Sequence, residues 1–182
     1  MVERVKEGWF TTKGRRGDRT LKSQVQGLAR LIESVPGKSV LDIGCAEGLI
    51  SMHLVDKGAI AAHGVEIIKG HVEVANKLRK DRPCMFEAGD ANDWAPKRQY
   101  DIVIMLAVLH KLRDPTAAVK RYAAAARELV VIRMPPYGFM LRDERSGNVP
   151  HDIELAMNAA GWQLDHQTTG PTDEVVGYFV PR

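Results

Sequence analysis

Apolar residues along this chain change period repeatedly, and the changes divide it into helices and strands. From Asp18 to Val35, Leu21, Val25, Leu28, Leu31 and Ile32 recur at helical spacing until Pro36-Gly37 stops them, which predicts a leading helix. Ser39 to Ile43 is a short strand-like run ending at Gly44, and Leu49 to Asp56 reads as a helix closed by Lys57-Gly58. The order is strand, glycine-rich turn, helix. The alternation continues with a strand at Ala61 to Glu66, a helix at Lys69 to Lys80, and a strand at Cys84 to Ala88 ending at Gly89-Asp90. Tyr100 to Leu106 is apolar and β-branched enough for a buried strand. Pro115 to Arg127 is an alanine-rich helix opened by proline, and Leu129 to Arg133 is a further strand. Repeated strand–helix units imply a parallel sheet with helices on both faces.

The alternation breaks after Met134. Pro135-Pro136-Tyr137-Gly138 opens a polar, charged stretch to Pro150, and a loop of that length in a compact domain is functional or disordered. A helix from about His151 to Ala160 and strands at Trp162 to Gln167 and Val175 to Val180 follow. The two strands are joined by a turn-rich Thr168 to Asp173, which predicts an antiparallel pair appended to the sheet. The expected fold is therefore α/β: a doubly wound, mostly parallel, seven-stranded sheet with an antiparallel closing strand. It forms one domain over residues 18–182, preceded by a basic arm at 1–17.

With 182 residues, 45% of them hydrophobic, the chain is long enough for one well-buried core. No apolar run approaches the roughly 18 residues of a membrane span, and MVERVKEGWF has no signal-like apolar stretch, so a soluble cytoplasmic protein is expected. A net charge of +3 does not by itself call for a polyanionic partner. Its distribution matters more: Lys13, Arg15, Arg16, Arg19 and Lys22 crowd one segment opposed by Asp18, just after Trp9 and Phe10. That segment is either a patch for nucleic acid or another anion, or a solvated arm. Cys45 and Cys84 fall at opposite ends of strands roughly 17–20 Å long, so free thiols in a reducing compartment are expected. No cysteine/histidine spacing suits a metal.

The chemistry concentrates in Val40-Leu41-Asp42-Ile43-Gly44-Cys45-Ala46-Glu47-Gly48. An acid ends a strand, and glycines follow where the backbone turns sharply into a helix, allowing main-chain amides to approach a ligand. The dinucleotide fingerprint G-x-G-x-x-G is not met: Ala46 holds the middle position and Gly48 comes one residue early. A nicotinamide enzyme is thereby disfavoured.

This segment resembles the first motif, D-x-G-x-G-x-G, of class I S-adenosylmethionine-dependent methyltransferases, with Ala46 in place of the middle glycine. His63-Gly64-Val65-Glu66 puts an acid at the end of the second strand, where the family binds the cofactor's ribose hydroxyls. Ala88-Gly89-Asp90-Ala91 looks like the next motif, whose aspartate accepts from the adenine amino group. Tyr100 to Pro115, including Val108-Leu109-His110-Lys111-Leu112-Arg113-Asp114, resembles the fourth-strand segment of the branch that mostly modifies small molecules. The resemblance covers about residues 38–134 and implies a Rossmann-like fold with S-adenosylmethionine as cofactor. It implies that Asp42, Gly44, Cys45, Ala46, Gly48, Glu66, Ile67, Asp90, Ala91, Leu106 and Ala107 bind that cofactor. One departure blurs the fifth strand's start: Arg127-Glu128 stands where the family has a Gly-Gly turn.

Each role has a plainer alternative. Glu66 is otherwise an exposed strand-end acid, and Asp90 a turn residue. Asp42 either orients loop amides or meets the cofactor's amino group indirectly. Glu47 suits a helix start. His110, after the fourth strand and with a side chain that titrates near neutrality, is the candidate general base, or else packs under the loop. Lys111 either binds an acceptor carboxylate or phosphate or is solvated, and Tyr137 either lines the acceptor pocket or packs. Pro135-Pro136-Tyr137 does not match the amino-methylating (Asn/Asp)-Pro-Pro-(Tyr/Phe) motif, which follows the fourth strand and begins with an amide or acid. Arg16-Gly17-Asp18 is read as chance. The expected activity is methylation of a small molecule, with nucleic-acid methylation through the basic arm and a non-catalytic cofactor-binding module as alternatives.

Overall fold

A computed structural model describes residues 20–135 and 150–182. The basic arm, Arg16-Gly17-Asp18 and Tyr137 lie outside the described residues. Among the described residues, no helix is long and apolar enough to cross a membrane.

Seven strands form one sheet: β1 (Ser39–Ile43), β2 (Ala61–Glu66), β3 (Cys84–Ala88), β4 (Tyr100–Leu106), β5 (Ala126–Met134), β6 (Trp162–Thr169) and β7 (Val175–Pro181), in the order β3-β2-β1-β4-β5-β7-β6. β1 to β5 pair in parallel, while β7 runs antiparallel to both β5 and β6. The chain leaves β1 toward one edge and returns to start β4 on its other side. The helices are α1 (Leu21–Gln24), α2 (Ala29–Ser34), α3 (Leu49–Asp56), α4 (Lys69–Leu78), α5 (Pro115–Ala123) and α6 (Pro150–Ala159).

Strand side chains alternate between faces, so the sheet divides two cores. Leu41, Ile43, Val103, Met105, Val130 and Ile132 join Val119, Tyr122 and Met157 of α5 and α6 on one side. Val40, Ile102, Ile104 and Val131 join Leu31, Leu54 and Ala75 of α2, α3 and α4 on the other. Burial on both faces explains why the central strands read as near-continuous apolar runs.

Two expectations need correction. The leading helix of 18–35 is two short helices, α1 and α2, because Gly27 adopts φ +76 and packs so closely on β6 that a Cβ there would lie 2.7 Å from the Thr169 carbonyl oxygen. The helix opened by Pro115 stops at Ala123, and β5 begins at Ala126, earlier than expected. Tyr100 pairs with Ala126 and Ile102 with Leu129, so β5 carries one extra residue there, a bulge at Arg127-Glu128. The charges stay at the sheet's rim: Arg127 pairs with Asp101 at 3.3 Å and Lys38 with Glu128 at 2.6 Å.

Candidate functional site

In an open α/β sheet, ligands bind beyond the carboxyl ends of the strands where the strand order reverses, here between β1 and β4. A cavity of about 560 Å³ opens at that point, inside the roughly 300–1,000 Å³ range of small-molecule sites. The loop after β1 contributes Asp42, Gly44, Cys45 and Ala46 to its wall. The ends of β2 and β3 contribute Glu66, Ile67, Asp90 and Ala91. From β4 and the single turn of Leu109–Lys111 come Leu106, Ala107, His110 and Lys111.

Glu66 organises this rim. Its Oε2 accepts from the Ala46 amide and its Oε1 from the Ile68 amide, both at 3.0 Å, while its carbonyl accepts from the Gly89 amide at 3.0 Å. The side chain is 7% exposed, so the plain surface acid is excluded. The carboxylate thus ties the loops after β1 and β2 together, and the main-chain carbonyl of the same residue adds the loop after β3. The bend after β1 is further held by the Gly44 and Cys45 amides, which both donate to the Val65 carbonyl, at 2.8 and 3.1 Å.

Asp42 is 3% exposed and accepts from the Ser51 hydroxyl of α3 at 2.6 Å. Burial pushes its carboxyl up to about 7, aided by the Glu66 charge and opposed by the Ser51 bond and Arg133. Asp90 behaves oppositely. Its Oδ1 accepts from the backbone amide and then the side-chain amide of Asn92, both at 2.8 Å, holding it below the usual carboxylate range. The turn geometry expected of a Gly-Asp pair is therefore present, within the cavity wall. Burial drives the Cys45 thiol far above its ordinary range, which leaves it protonated and a poor nucleophile.

Gly48 does not line the cavity. It sits at φ +72 before α3, and a Cβ would lie 2.4 Å from the Phe86 ring of β3. Its glycine serves helix–sheet packing. Ala46 has φ 48 and Ala107 φ 58, left-handed conformations in two loops that face the cavity. Glycine is the residue that takes such angles without strain, which accounts physically for the motif's middle glycine and marks Ala46 as a strained substitute.

Sequence reasoning missed several wall residues. Arg133, one residue before the end of β5, is 2% exposed; Gln24 of α1, His71 of α4 and Glu174 before β7 join it in the lining. An arginine at the end of an otherwise apolar strand was a usable signal, since buried guanidinium groups need partners. Gln24 and Glu174 carried none, because only folding brings them to the cavity. Acids stand at or just beyond the ends of β1, β2 and β3 and before β7, His110 and Lys111 follow β4, and Arg133 lies in β5.

This geometry suits a ligand that presents cationic and hydroxyl groups to the acids. A family model described as a methyltransferase domain matches residues 15–168. The chain belongs to the methyltransferase-domain family. Its fold is that of class I S-adenosylmethionine-dependent methyltransferases: magnesium protoporphyrin IX methyltransferase from Synechocystis, solved with S-adenosylhomocysteine bound, superposes with TM-score 0.69 at 19% identity, over 85% of this chain and 79% of that one. An S-adenosylmethionine-dependent methyltransferase from Mesorhizobium loti gives TM-score 0.70 at 14% identity, over 83% and 96%. A sequence relative, the ubiquinone biosynthesis O-methyltransferase of Idiomarina loihiensis, is 32% identical over 95 residues, which is 50% of this methyltransferase-domain chain and 39% of that protein. The chain spans about two fifths of the length of the curated relatives it matches.

Proposed function

We propose that this protein transfers a methyl group from S-adenosylmethionine to a nucleophilic heteroatom of a small molecule in the cytoplasm. One observation carries the reading: the buried acids Asp42 and Glu66, with Asp90 beside them, face a single cavity at the sheet's reversal point in a chain of the methyltransferase-domain family. Small acceptors are favoured by the names of similar proteins, which act in ubiquinone biosynthesis and on magnesium protoporphyrin IX. Two buried free thiols suit a reducing compartment.

When bound, S-adenosylmethionine supplies an electrophilic methyl carbon on a sulfonium centre. The chain's residues do the rest. Glu66 would accept from the ribose hydroxyls, Asp90 from the adenine amino group, and Ile67, Ala91 and Leu106 would pack against the adenine ring. Asp42 and the bend at 44–46 face the amino-acid end, where negative charge balances the ligand's cationic groups. His110 takes the proton that an acceptor hydroxyl or amine loses, and Lys111 holds an acidic group of the acceptor. Positioning alone is capable of contributing roughly 7–11 kcal/mol to such a displacement, so no further catalytic group is required.

The test is a calorimetric titration with S-adenosylmethionine and S-adenosylhomocysteine, repeated on Glu66→Gln, followed by a labelled-methyl screen against a small-molecule extract. A charge-assisted bond contributes about 1.5–3 kcal/mol, so the substitution is expected to weaken both ligands roughly 10- to 150-fold. Unchanged affinity would remove Glu66 from the site. A wild-type protein that ignores both ligands would overturn the function.

A further inference from the structure

We propose that the β5 side of the cavity is an anchor for a carboxylate, so that the methyl acceptor is a small molecule carrying one; this deepens the reading above and rests on it. The observation behind it is a buried amide with nothing to bind. Gln24 lines the cavity and is 9% exposed, yet its Nε2 is buried and makes no hydrogen bond. Leaving such a donor unmet costs about 1–3 kcal/mol, which a native fold retains where a ligand supplies the missing acceptor.

The direction of that donor is set by Arg133. The guanidinium Nη2 donates to the Gln24 carbonyl at 2.5 Å and Nη1 to the Gln24 Oε1 at 3.4 Å. A guanidinium has only donors, so it selects the amide rotamer that turns Oε1 toward it and leaves the NH₂ group on the other side. The amide offers hydrogens, and an oxygen acceptor is what it lacks.

Charge then selects the kind of oxygen. Arg133 is almost wholly buried, so its field in the cavity is weakly screened. Glu174 Oε2 forms an ion pair with the guanidinium across 3.6 Å. Lys111 is a second cation in the cavity wall, whose acids are Asp42, Glu66, Asp90 and Glu174, with Asp42 and Glu174 both within the electrostatic reach of Arg133. A planar carboxylate meets both the guanidinium and the Gln24 amide. A cationic acceptor would be repelled by the same guanidinium. The anchored carboxylate is stabilised as an anion and is thereby a poor nucleophile, so the methylated atom lies elsewhere on the acceptor.

The experiment loads the full chain with S-adenosylhomocysteine and titrates benzoate and hexanoate against their neutral counterparts benzamide and hexanamide, with saturation-transfer NMR as readout. At least one carboxylate is expected to bind tenfold or more tightly than its amide. Gln24→Met, which keeps the shape and removes the NH₂ donor, is expected to weaken that carboxylate about five- to tenfold while the affinity for S-adenosylhomocysteine changes less than twofold. Arg133→Lys, which keeps the charge and loses the planar fork, is expected to shrink the preference for carboxylate over amide. Carboxylates binding no better than amides, or Gln24→Met without effect on them, would overturn the anchor and leave the cofactor reading standing. Failure to bind S-adenosylhomocysteine at all would overturn both.

Discussion

Replacing Asp42 by asparagine should favour stability over wild type more at high pH than at low, because this acid is buried at the end of β1 at a cost in ionisation. Its carboxyl moves from an unfolded value of 3.8 to about 7, mainly through burial. Between those values the folded state keeps a proton that the unfolded chain has released, so raising the pH removes stability through this window. The full cost, about three pK units, comes to about 4 kcal/mol at pH 8 and about 2 kcal/mol at pH 5. Asparagine does not ionise, and its side-chain oxygen can still accept from the Ser51 hydroxyl that Asp42 meets at 2.6 Å. The stability difference between Asp42→Asn and wild type should therefore shift in favour of the variant by roughly 2–3 kcal/mol from pH 5 to pH 8. Guanidinium titrations followed by tryptophan fluorescence at pH 5, 6.5 and 8 measure it, and any pH-independent effect of the substitution cancels in the comparison. A difference that stays constant, or moves the other way, would refute the burial argument. The same variant should bind S-adenosylmethionine more weakly, since a cationic ligand favours the ionised acid and releases its proton on binding.

Gly48→Ala combines a left-handed φ of +72 with a Cβ 2.4 Å from the Phe86 ring; strain and overpacking together should cost roughly 2–5 kcal/mol, a fall of about 5–15 °C in a thermal melt. Ala46→Gly relieves the φ of 48. Strain relief of about 1–2 kcal/mol less a chain-entropy cost of about 0.4–1 kcal/mol leaves the melt unchanged or up to a few degrees higher, and a clear loss of stability would contradict the strain reading. Cys45 and Cys84 are both buried, and both thiols are pushed up by burial. Iodoacetamide at pH 8 should leave the native protein unlabelled by mass spectrometry and modify two sites once denaturant is added.

The strand ends and the chemistry they carry were readable because both are local. β1, α3, β2, β3 and β4 begin and end where apolar runs meet glycine or a charge, and Asp42, Glu66 and Asp90 stand at or just beyond those ends. A parallel strand buried on both faces leaves little latitude in its residues, so its limits show in composition. The places where reading failed involve contacts between distant segments. Gly27 splits the leading helix because β6 lies against it, some 140 positions later in the chain than any local signal reaches. Arg127-Glu128 reads as a helix end and is a strand bulge, since its register is set by Tyr100 and Ile102 across the sheet.

The cavity divides along the same line. Its acidic side comes from loops that follow successive strands, so periodicity and motif spacing were enough to find it. The rest of its wall joins α1, the end of β5 and the turn before β7, whose residues have no sequence relation to one another. Gln24 and Arg133 are 109 positions apart and meet at 2.5 Å. Only the crossing of the chain at β1 and the antiparallel insertion of β7 beside β5 bring them together. Hydrogen bonding and burial between such segments are properties of the assembled sheet, and no local pattern of residues encodes them.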